Sequence, residues 1–424
     1  MKIIAKSLCI MIYAAMLLTA ATAQSSLPQP REEKLLNGLK VLMWPDAKAD
    51  SVTVRVRVHS GSSFDPQGKE GVMKLLAENI FPEPAAREFF TEDLGGGLSI
   101  TTTYDFIEIK ASGKPDSFLS MLETLSAAIA NPTIDKPTTA KLKTALIASV
   151  KERESDTAYA ADRAAAARLF GTFPYGRAEW GSSESIKKID FADLIDAKQR
   201  FLTADNATVI VTGNFDRTLG FRAIRRLFGA WLKSDRRVPS TFRQPDPPPA
   251  GVLMMASPKA NSHAVRFITR GASRNDKNFA AAQVYASIIE TRLKARVPAE
   301  HMADVFVRSE SHILPGSFVI GFGGTRNDIG QANGKVEATD LVLKVLAEPV
   351  TEAEFQAARS AFRDVWSKRD TFTYFLDADT FKIASPNADV QIADTVTLSD
   401  VRGFAATVGA QPMATVVVSS PAVK

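Results

Sequence analysis

The sequence contains few of the side chains that carry thiol or metal chemistry. It has one cysteine, Cys9, and four histidines among 424 residues. Cys9 lies in an apolar N-terminal segment, so the folded chain is predicted to have neither a disulfide nor a thiol nucleophile. The histidines do not form a pair with the spacing of metal ligands, and we interpret them as surface or hydrogen-bonded residues: His59, His263, His301 and His312.

Long apolar runs are absent beyond the first residues. Residues 1–23 place Lys2 and Lys6 before an apolar run and end on Ala-Thr-Ala, which predicts a secretory signal cleaved before Gln24. The run is shorter than the roughly 20 residues that a membrane helix needs, and no later segment qualifies. We therefore expect no membrane span after cleavage, and a periplasmic or secreted location.

A large excess of one charge is missing as well. The formal net charge of +5 falls to +3 when Lys2 and Lys6 leave with the signal, which is too small to imply a nucleic-acid partner. The glycines at 95–97 precede a predicted strand rather than a helix, so they are not a phosphate-binding loop. No Gly-x-Ser-x-Gly motif occurs, which excludes a serine-hydrolase elbow.

The same order of predicted elements occurs twice. The strands VTVRVRVHSG and HAVRFITRG end on Gly61 and Gly271, and each precedes a polar loop and a helix. Each half continues with another strand and a helical middle, and it closes on a strand. We predict an α+β fold of two tandem homologous domains, each an antiparallel-rich sheet with helices packed on one face. The domains span 31–235 and 251–424, and a Pro-rich linker at 236–250 joins them.

The first of these strands has a regular alternation. Its four valines share one face, and Thr53, Arg55 and Arg57 share the other. The pattern predicts a half-buried antiparallel strand.

Several stretches along most of the chain resemble the M16 family of zinc metallopeptidases, the pitrilysin, insulinase and mitochondrial processing peptidase group, in its short bacterial two-domain form. Each stretch is weak alone, but together and in this order they are specific. They are LLNGLKVLMWPD, HSGSSFDPQGKEGV, GGGLSITTTYDF, FPYGRAEWGSSESIKKI, FLTADNATVIVTGNFD and FVIGFGGTRNDI.

The resemblance implies an inverted zinc motif, His-x-x-Glu-His, on the helix after DPQGKEG. Positions i, i+3 and i+4 share a helical face, so two imidazoles can bind one metal while the Glu activates its water. Here Lys74 and Glu78 occupy the histidine positions, and Ala77 occupies the glutamate position. A protonated ammonium cannot ligate zinc, and alanine cannot accept a proton. We expect no metal in this chain and no intrinsic peptidase activity.

The distal glutamate ligand of the family falls on Ala148 or Ser149. Glu152 and Glu154 lie nearby, and a shift of register would supply one oxygen ligand without restoring the site.

Lys74 and Glu78 have two interpretations. They form an i,i+4 ion pair on the helix surface, or the ammonium occupies the vacated metal position and holds the former ligand pocket together. We favour the surface pair.

The resemblance further implies that an extended peptide pairs with an edge strand, Leu98–Thr103, after Gly95, Gly96 and Gly97. Ser99 stands at the first of two positions where the family has Asn-Ala, so an amide contact is lost. The alternative is a sheet edge that serves folding alone.

In the second half, the family holds substrate with an arginine and a tyrosine. Arg292 matches the arginine, whereas the tyrosine position falls near Asp304. The alternative is that Arg292 is an ordinary surface arginine of a helix.

Family members fuse two halves or pair two chains, often one with zinc and one without. The resemblance therefore implies a non-catalytic subunit of a heterodimeric metallopeptidase, which walls the chamber and helps bind extended peptide for a zinc-bearing partner chain. A catalytically dead scaffold without a peptidase partner, as in the core subunits of respiratory complexes, is the alternative. An active homodimer with a relocated metal site is a weaker third possibility.

Overall fold

A computed structural model describes residues 27–234, 242–243, 245–324 and 332–420. The predicted signal at 1–23 lies outside the described residues. So do much of the first half of the predicted linker at 236–250 and the end of the FVIGFGGTRNDI stretch.

The first sheet has six strands in the order β1-β2-β6-β3-β5-β4. Its strands pair antiparallel except for β2 and β6, which are parallel. The strands are β1 (Arg31–Lys34), β2 (Lys40–Pro45), β3 (Val52–Val58), β4 (Gly97–Thr102), β5 (Ile107–Gly113) and β6 (Ala207–Gly213).

Eight helices accompany this sheet in the described chain up to residue 234. The apolar side chains of seven of them pack with the inward valines and isoleucines of the sheet into one core. The helices are α1 (Val72–Ile80), α2 (Pro84–Glu92), α3 (Phe118–Ala130), α4 (Lys136–Glu154), α5 (Thr157–Phe170), α6 (Ser183–Lys187), α7 (Phe191–Phe201) and α8 (Arg217–Phe228).

The second sheet repeats the first. Its order, β7-β11-β8-β10-β9, is that of β2-β6-β3-β5-β4, and its one parallel pair, β7 with β11, corresponds to β2 with β6. The strands are β7 (Val252–Ala256), β8 (His263–Arg270), β9 (Val305–Glu310), β10 (Ser317–Gly324) and β11 (Ala414–Ser419). The predicted α+β duplication is confirmed.

The described helices of the second half are α9 (Phe279–Lys294), α10 (Ala332–Ala347), α11 (Glu352–Ser367), α12 (Thr371–Phe381), α13 (Pro386–Val390), α14 (Ile392–Thr395) and α15 (Leu398–Ala410). Five of these seven helices, all except α12 and α13, form a second core with the inner face of the second sheet. No helix within the described residues is long and apolar enough to cross a membrane.

The two domains exchange one helix each. The alanine-rich α5 packs Ala161, Ala165 and Leu169 against the outer face of the second sheet, where a small side chain lets helix and strand approach closely. In return, α12 packs Phe375 and Leu376 against the outer face of the first sheet. Each sheet is therefore covered by helices of its own domain on one face and by a helix of the other domain on the opposite face.

This exchange corrects the prediction for β3. Its polar face is not in solvent, because Arg55 and Arg57 are buried beneath α12. Arg55 donates to Glu108 of β5 and to Asp370, and Arg57 donates to Glu108 and to Asp377. Alternation identifies the two faces of a strand, but it does not show which polar face a distant segment covers with opposite charges.

Candidate functional site

The loop before α1 is built to start a helix. The Asp65 carboxylate accepts the N–H groups of Gly71 and Met73 at 2.7 and 2.8 Å, which satisfies donors at the helix N-terminus. Burial raises the pKa of Asp65 to about 7. Arg177 donates to the carbonyl oxygens of Ser63 and Asp65 and fixes the loop from outside. The DPQGKEG stretch thus holds α1 in place through its own hydrogen bonds.

The zinc-motif positions on α1 hold an ion pair and a methyl group. Lys74 Nζ lies 2.6 Å from Glu78 Oε1, and Arg87 approaches the other Glu78 oxygen at 3.3 Å. Ala77 is fully buried in the core. The predicted i,i+4 pair forms, but its placement on the helix surface is wrong, because Lys74 is only 8% exposed. The packed core around α1 covers its stem.

Trp180 covers the Lys74 ammonium from outside. Lys74 Nζ lies 4.7 Å from the centre of the Trp180 ring, and the guanidinium carbon of Arg153 lies 4.2 Å from it. The Trp180 indole N–H donates to the carbonyl of Thr102 at 3.4 Å. One indole therefore connects the former metal helix, the end of α4 and the last residue of β4.

The positions of the distal ligand do not complete a metal site. Ala148, Ser149 and Glu152 are exposed on α4. Glu154 accepts the backbone N–H and the hydroxyl of Ser183 at 3.1 and 2.8 Å, so it anchors the start of α6. Throughout the described ranges, no three His, Cys, Asp or Glu side chains are close enough to hold a metal ion together.

Strand β4 forms the edge of the first sheet and pairs only with β5 there. Thr103 donates to the Phe106 carbonyl, and antiparallel alternation then turns the backbone groups of Leu98, Ile100 and Thr102 away from β5. The Thr102 carbonyl already accepts a hydrogen bond from the Trp180 indole N–H. The N–H and C=O groups of Leu98 and Ile100 are therefore presented at the edge, in the arrangement that accepts an added strand.

The glycines before β4 shape this edge. Gly95 has a φ of +65°, and a Cβ on Gly96 would lie 2.0 Å from the Ser112 carbonyl oxygen. These two residues let the chain turn tightly onto β5, whereas Gly97 has open space around it. The Ser99 side chain is exposed. Contact of Gly95, Gly96, Gly97 and Ser99 with a peptide stays a prediction.

Arg292 is engaged in the packing of its own domain. Its guanidinium is 7% exposed and donates to both carboxylate oxygens of Glu354 at 2.7 Å. The remaining donors bind the carbonyl oxygens of Val345, Glu348 and Pro349 at 2.9 to 3.2 Å. This geometry leaves no N–H for the predicted substrate contact, and it equally contradicts a surface arginine. Arg292 joins the end of α9 to the turn between α10 and α11.

The histidines occupy separate environments. His59 lies between Thr380 and Thr208, at 2.9 and 3.0 Å, and burial lowers its pKa to about 3. Burial also disfavours charge on His312, but the Asp105 carboxylate at 2.8 Å, with Glu310 and Glu179, outweighs it and raises the pKa of His312.

His312 borders a cleft between the two domains that the sequence did not reveal. The cleft has a volume of about 300 Å³. Its walls include Arg153, Tyr159, Arg163 and Glu179 from the first domain and Arg308, Glu310 and His312 from the second. The stretches KERESD and FPYGRAEW contain two of these residues, Arg153 and Glu179, but nothing in their spacing indicates that β9 faces them.

Comparisons with known proteins agree with the two-domain fold described above. A family model described as Insulinase (Peptidase family M16) matches residues 40–178, and one described as Peptidase M16 inactive domain matches residues 188–362. A probable mitochondrial-processing peptidase subunit beta of Arabidopsis thaliana is 25% identical over 224 residues, which is 52% of this chain and 41% of that protein. The chain thus spans about two fifths of the length of this curated relative.

Solved structures share the fold. A peptidase M16 inactive domain from Pseudomonas fluorescens superposes with a TM-score of 0.79 at 18% identity, covering 94% of this chain and 99% of that one. The periplasmic protease PqqL from Escherichia coli gives 0.68 at 16% identity, covering 93% of this chain and 48% of that one. At the zinc-motif positions the chain has Lys74, Ala77 and Glu78 in place of the family's His, Glu and His. The two family models cover both domains, and the chain belongs to the M16 peptidase family.

Proposed function

We propose that this chain is the non-catalytic subunit of a heterodimeric zinc metallopeptidase. It walls part of the substrate chamber and holds an extended peptide for a zinc-bearing M16-like partner chain. The observation that carries the proposal is the open edge of β4 beside a helix α1 without zinc ligands. A free strand edge supports peptide holding, and no three potential metal ligands meet within the part of the chain that is described.

The edge strand supports the peptide-holding role. The outward backbone groups of Leu98 and Ile100 would give affinity for any extended chain, irrespective of its side chains. The buried Lys74–Glu78 pair supports the loss of metal chemistry, because an ammonium in an ion pair replaces a ligand there. Zinc would then belong to the partner chain alone.

The comparisons support a subunit that works as one half. The Arabidopsis relative is named as a subunit of a peptidase, and the chain covers 48% of PqqL, a protease named as periplasmic. By analogy, a second M16-like unit would complete the chamber. The predicted signal and the location of PqqL favour the periplasm, or secretion, for this chain.

The test is a pull-down of the tagged, signal-processed protein from its own cells, followed by a peptide-cleavage assay with and without a chelator. The proposal expects a partner with an intact zinc motif, and chelator-sensitive cleavage by the complex that neither chain shows alone. Recovery of an unrelated assembly, or of this chain alone without cleavage, would contradict it.

Two variants test the role of β4 within that complex. Ile100→Pro removes one outward N–H without breaking a β4–β5 hydrogen bond, which an edge strand tolerates. Ile100→Val keeps the N–H and serves as the matched control. The proposal expects Ile100→Pro to assemble with the partner but to cleave more slowly at low peptide concentration, and Ile100→Val to behave as the unmodified chain.

A scaffold without a peptidase partner is the second candidate. The saturated hydrogen bonding of Arg292 favours it, because a substrate-holding subunit of this family would present that arginine to the peptide. The same pull-down separates the two candidates, since a scaffold would bring down an assembly with no chelator-sensitive cleavage.

A further inference from the structure

Arg153 differs from four buried arginines of this fold. Arg55, Arg57, Arg274 and Arg292 all have carboxylate partners. The Arg153 guanidinium instead lies over two aromatic rings, 4.2 Å from the centre of Trp180 and 4.8 Å from that of Tyr159. Among the described residues it makes no side-chain hydrogen bond or ion pair. It lines the cleft between the two domains.

Two aromatic rings contact this guanidinium. When arginine stacks on an aromatic face, its N–H donors lie in the plane of the guanidinium, parallel to the ring. Stacking therefore leaves the donor edge available. Such an edge matches the two oxygens of a carboxylate. A guanidinium held in this way loses less freedom on binding than an exposed one, which favours recognition over mere solvation.

The other charges of the cleft do not neutralise Arg153. Asp162 already binds Arg266 and Arg308, at 2.5 and 3.2 Å. Glu310 accepts from Ser317 at 2.9 Å and lies 3.5 Å from Arg308.

Glu179 and Arg163 line the cleft together with Arg153. Glu179 accepts the N–H of Tyr104, and burial raises its pKa although His312 and Arg153 act in the opposite direction. Arg163 donates to the Gly176 carbonyl at 2.7 Å and has no carboxylate partner in the described chain. Arg153 and Arg163 thus both line the cleft without a direct ion pair to a described carboxylate.

The cleft continues the open edge of β4. Trp180, which supports Arg153, donates to the Thr102 carbonyl at the end of that strand. Tyr104, two residues further along the chain, forms part of the cleft wall. A peptide paired with Leu98 and Ile100 would therefore reach the cleft beyond Thr102.

We propose that Arg153 is the receptor for a carboxylate of the bound peptide, so that peptides with a carboxylate at this position are preferred. The carboxylate is either the peptide's C-terminus or an acidic side chain, since both present the same two oxygens. The inference rests on the proposed peptide-holding function and adds the chemical class of peptide to it.

The test uses four fluorescein-labelled strand-forming hexapeptides, Thr-Val-Thr-Val-Thr-Asp or its Asn counterpart, each with a free or an amidated C-terminus. Fluorescence anisotropy gives their Kd for the full signal-processed chain and for Arg153→Gln. The proposal expects one carboxylate to tighten binding about ten-fold or more, as for a charge-assisted pair, and this preference to vanish in Arg153→Gln. The free-against-amidated and Asp-against-Asn ratios identify which carboxylate binds.

Two further variants separate recognition from stability. Arg200→Gln removes an equal charge from the last turn of α7, where the guanidinium lies 4.7 Å from the Phe201 ring, and it should keep the carboxylate preference. Arg153→Lys keeps the charge but loses the planar donor edge, and it should retain only part of the preference. A Tm for each variant shows whether it is folded.

Each outcome decides a different claim. If the peptides bind with equal Kd, or if the preference survives Arg153→Gln, the carboxylate inference is wrong and peptide holding stands. If none of the four peptides binds up to the solubility limit of the protein, the carboxylate inference and peptide holding by this chain both fail.

Discussion

Arg57 of β3 donates to Asp377 of α12 at 2.7 Å, and this contact crosses from one domain to the other. The side chains are 3% and 5% exposed. Arg369 also donates to Asp377 at 2.5 Å, and Glu108 accepts from Arg57. Burial alone would raise the pKa of Asp377, but Arg57 and Arg369 lower it. The exchanged helix α12 is thus held to the first sheet by buried opposite charges as well as by apolar packing.

Asp377→Asn should destabilise the protein strongly. The variant leaves the buried Arg57 and the partly exposed Arg369 without their shared carboxylate, and breaking a buried pair in this way costs about 3–5 kcal/mol. Urea unfolding followed by tryptophan fluorescence measures the loss. Glu184→Gln, which removes an exposed ion pair with Lys188, is the control and should leave the midpoint nearly unchanged. Equal midpoints for both variants would show that the interdomain charges do not hold α12.

The Lys74–Glu78 pair should be worth more than a surface pair. Exposed i,i+4 pairs contribute about 0.3–0.5 kcal/mol, whereas Lys74 is largely buried between Glu78 and Trp180. A double-mutant cycle of Lys74→Met and Glu78→Gln should give a coupling above about 1 kcal/mol. A coupling within the surface range would restore the simpler interpretation of a solvated pair.

Removing Glu354 should make the protein less sensitive to acid. The hydrogen bonds from Arg292 lower the pKa of Glu354 from 4.5 to about 2. A lowered carboxyl pKa contributes stability above pH 4.5 that is lost as the pH falls toward 2. Glu354→Gln should therefore be less stable at neutral pH and lose less stability between these pH values. Parallel urea or acid titrations of the two proteins measure this difference, and identical pH profiles would contradict it.

His59 and His312 should titrate on opposite sides of the ordinary histidine value of 6.5. NMR of the ring protons, assigned with His59→Gln and His312→Gln, should show His59 neutral well into the acid range and His312 charged above pH 6.5. The stability due to His312 is present below pH 6.5 and is lost as the pH rises through its raised pKa. His59 acts in the opposite sense, because the buried neutral ring loses stability as the pH falls from 6.5 toward 3. Coinciding titrations would contradict the assigned environments.

A chelator should not change the stability of the chain on its own. No three potential ligands meet within the described residues, so metal removal has no bond to break there. Thermal unfolding of the purified chain with and without EDTA measures this. A Tm that falls with EDTA and recovers with zinc would show a metal site in this chain and overturn the proposed division of labour.

The sequence was most informative where a pattern repeats locally. The strand alternation and the order of elements predict the duplicated α+β fold. The vacated zinc positions followed from the DPQGKEG stretch and a fixed helical spacing. In each case the deciding interaction lies within a few residues, so the order of residues carries the information.

The sequence was a poorer guide to the contacts of the candidate site residues. Arg292 resembled a substrate-holding arginine, yet Glu354 and three carbonyls from other elements saturate it. Lys74 resembled a surface lysine, yet Trp180, distant in the chain, covers it. Arg153 carried no signal in the sequence, because its distinction is that it forms no ion pair with a carboxylate among the described residues of the folded chain.

The sequence by itself therefore determined the two-domain M16 fold and the loss of the zinc ligands. Helical and strand periodicity and ligand identity are properties of neighbouring residues. Only the tertiary structure decided which side chains are free to bind. The exchange of α5 and α12 between the domains buries the arginines of β3, and the meeting of the two domains leaves Arg153 facing a cleft beside β4. Burial and pairing depend on segments hundreds of residues apart, and no local pattern encodes them.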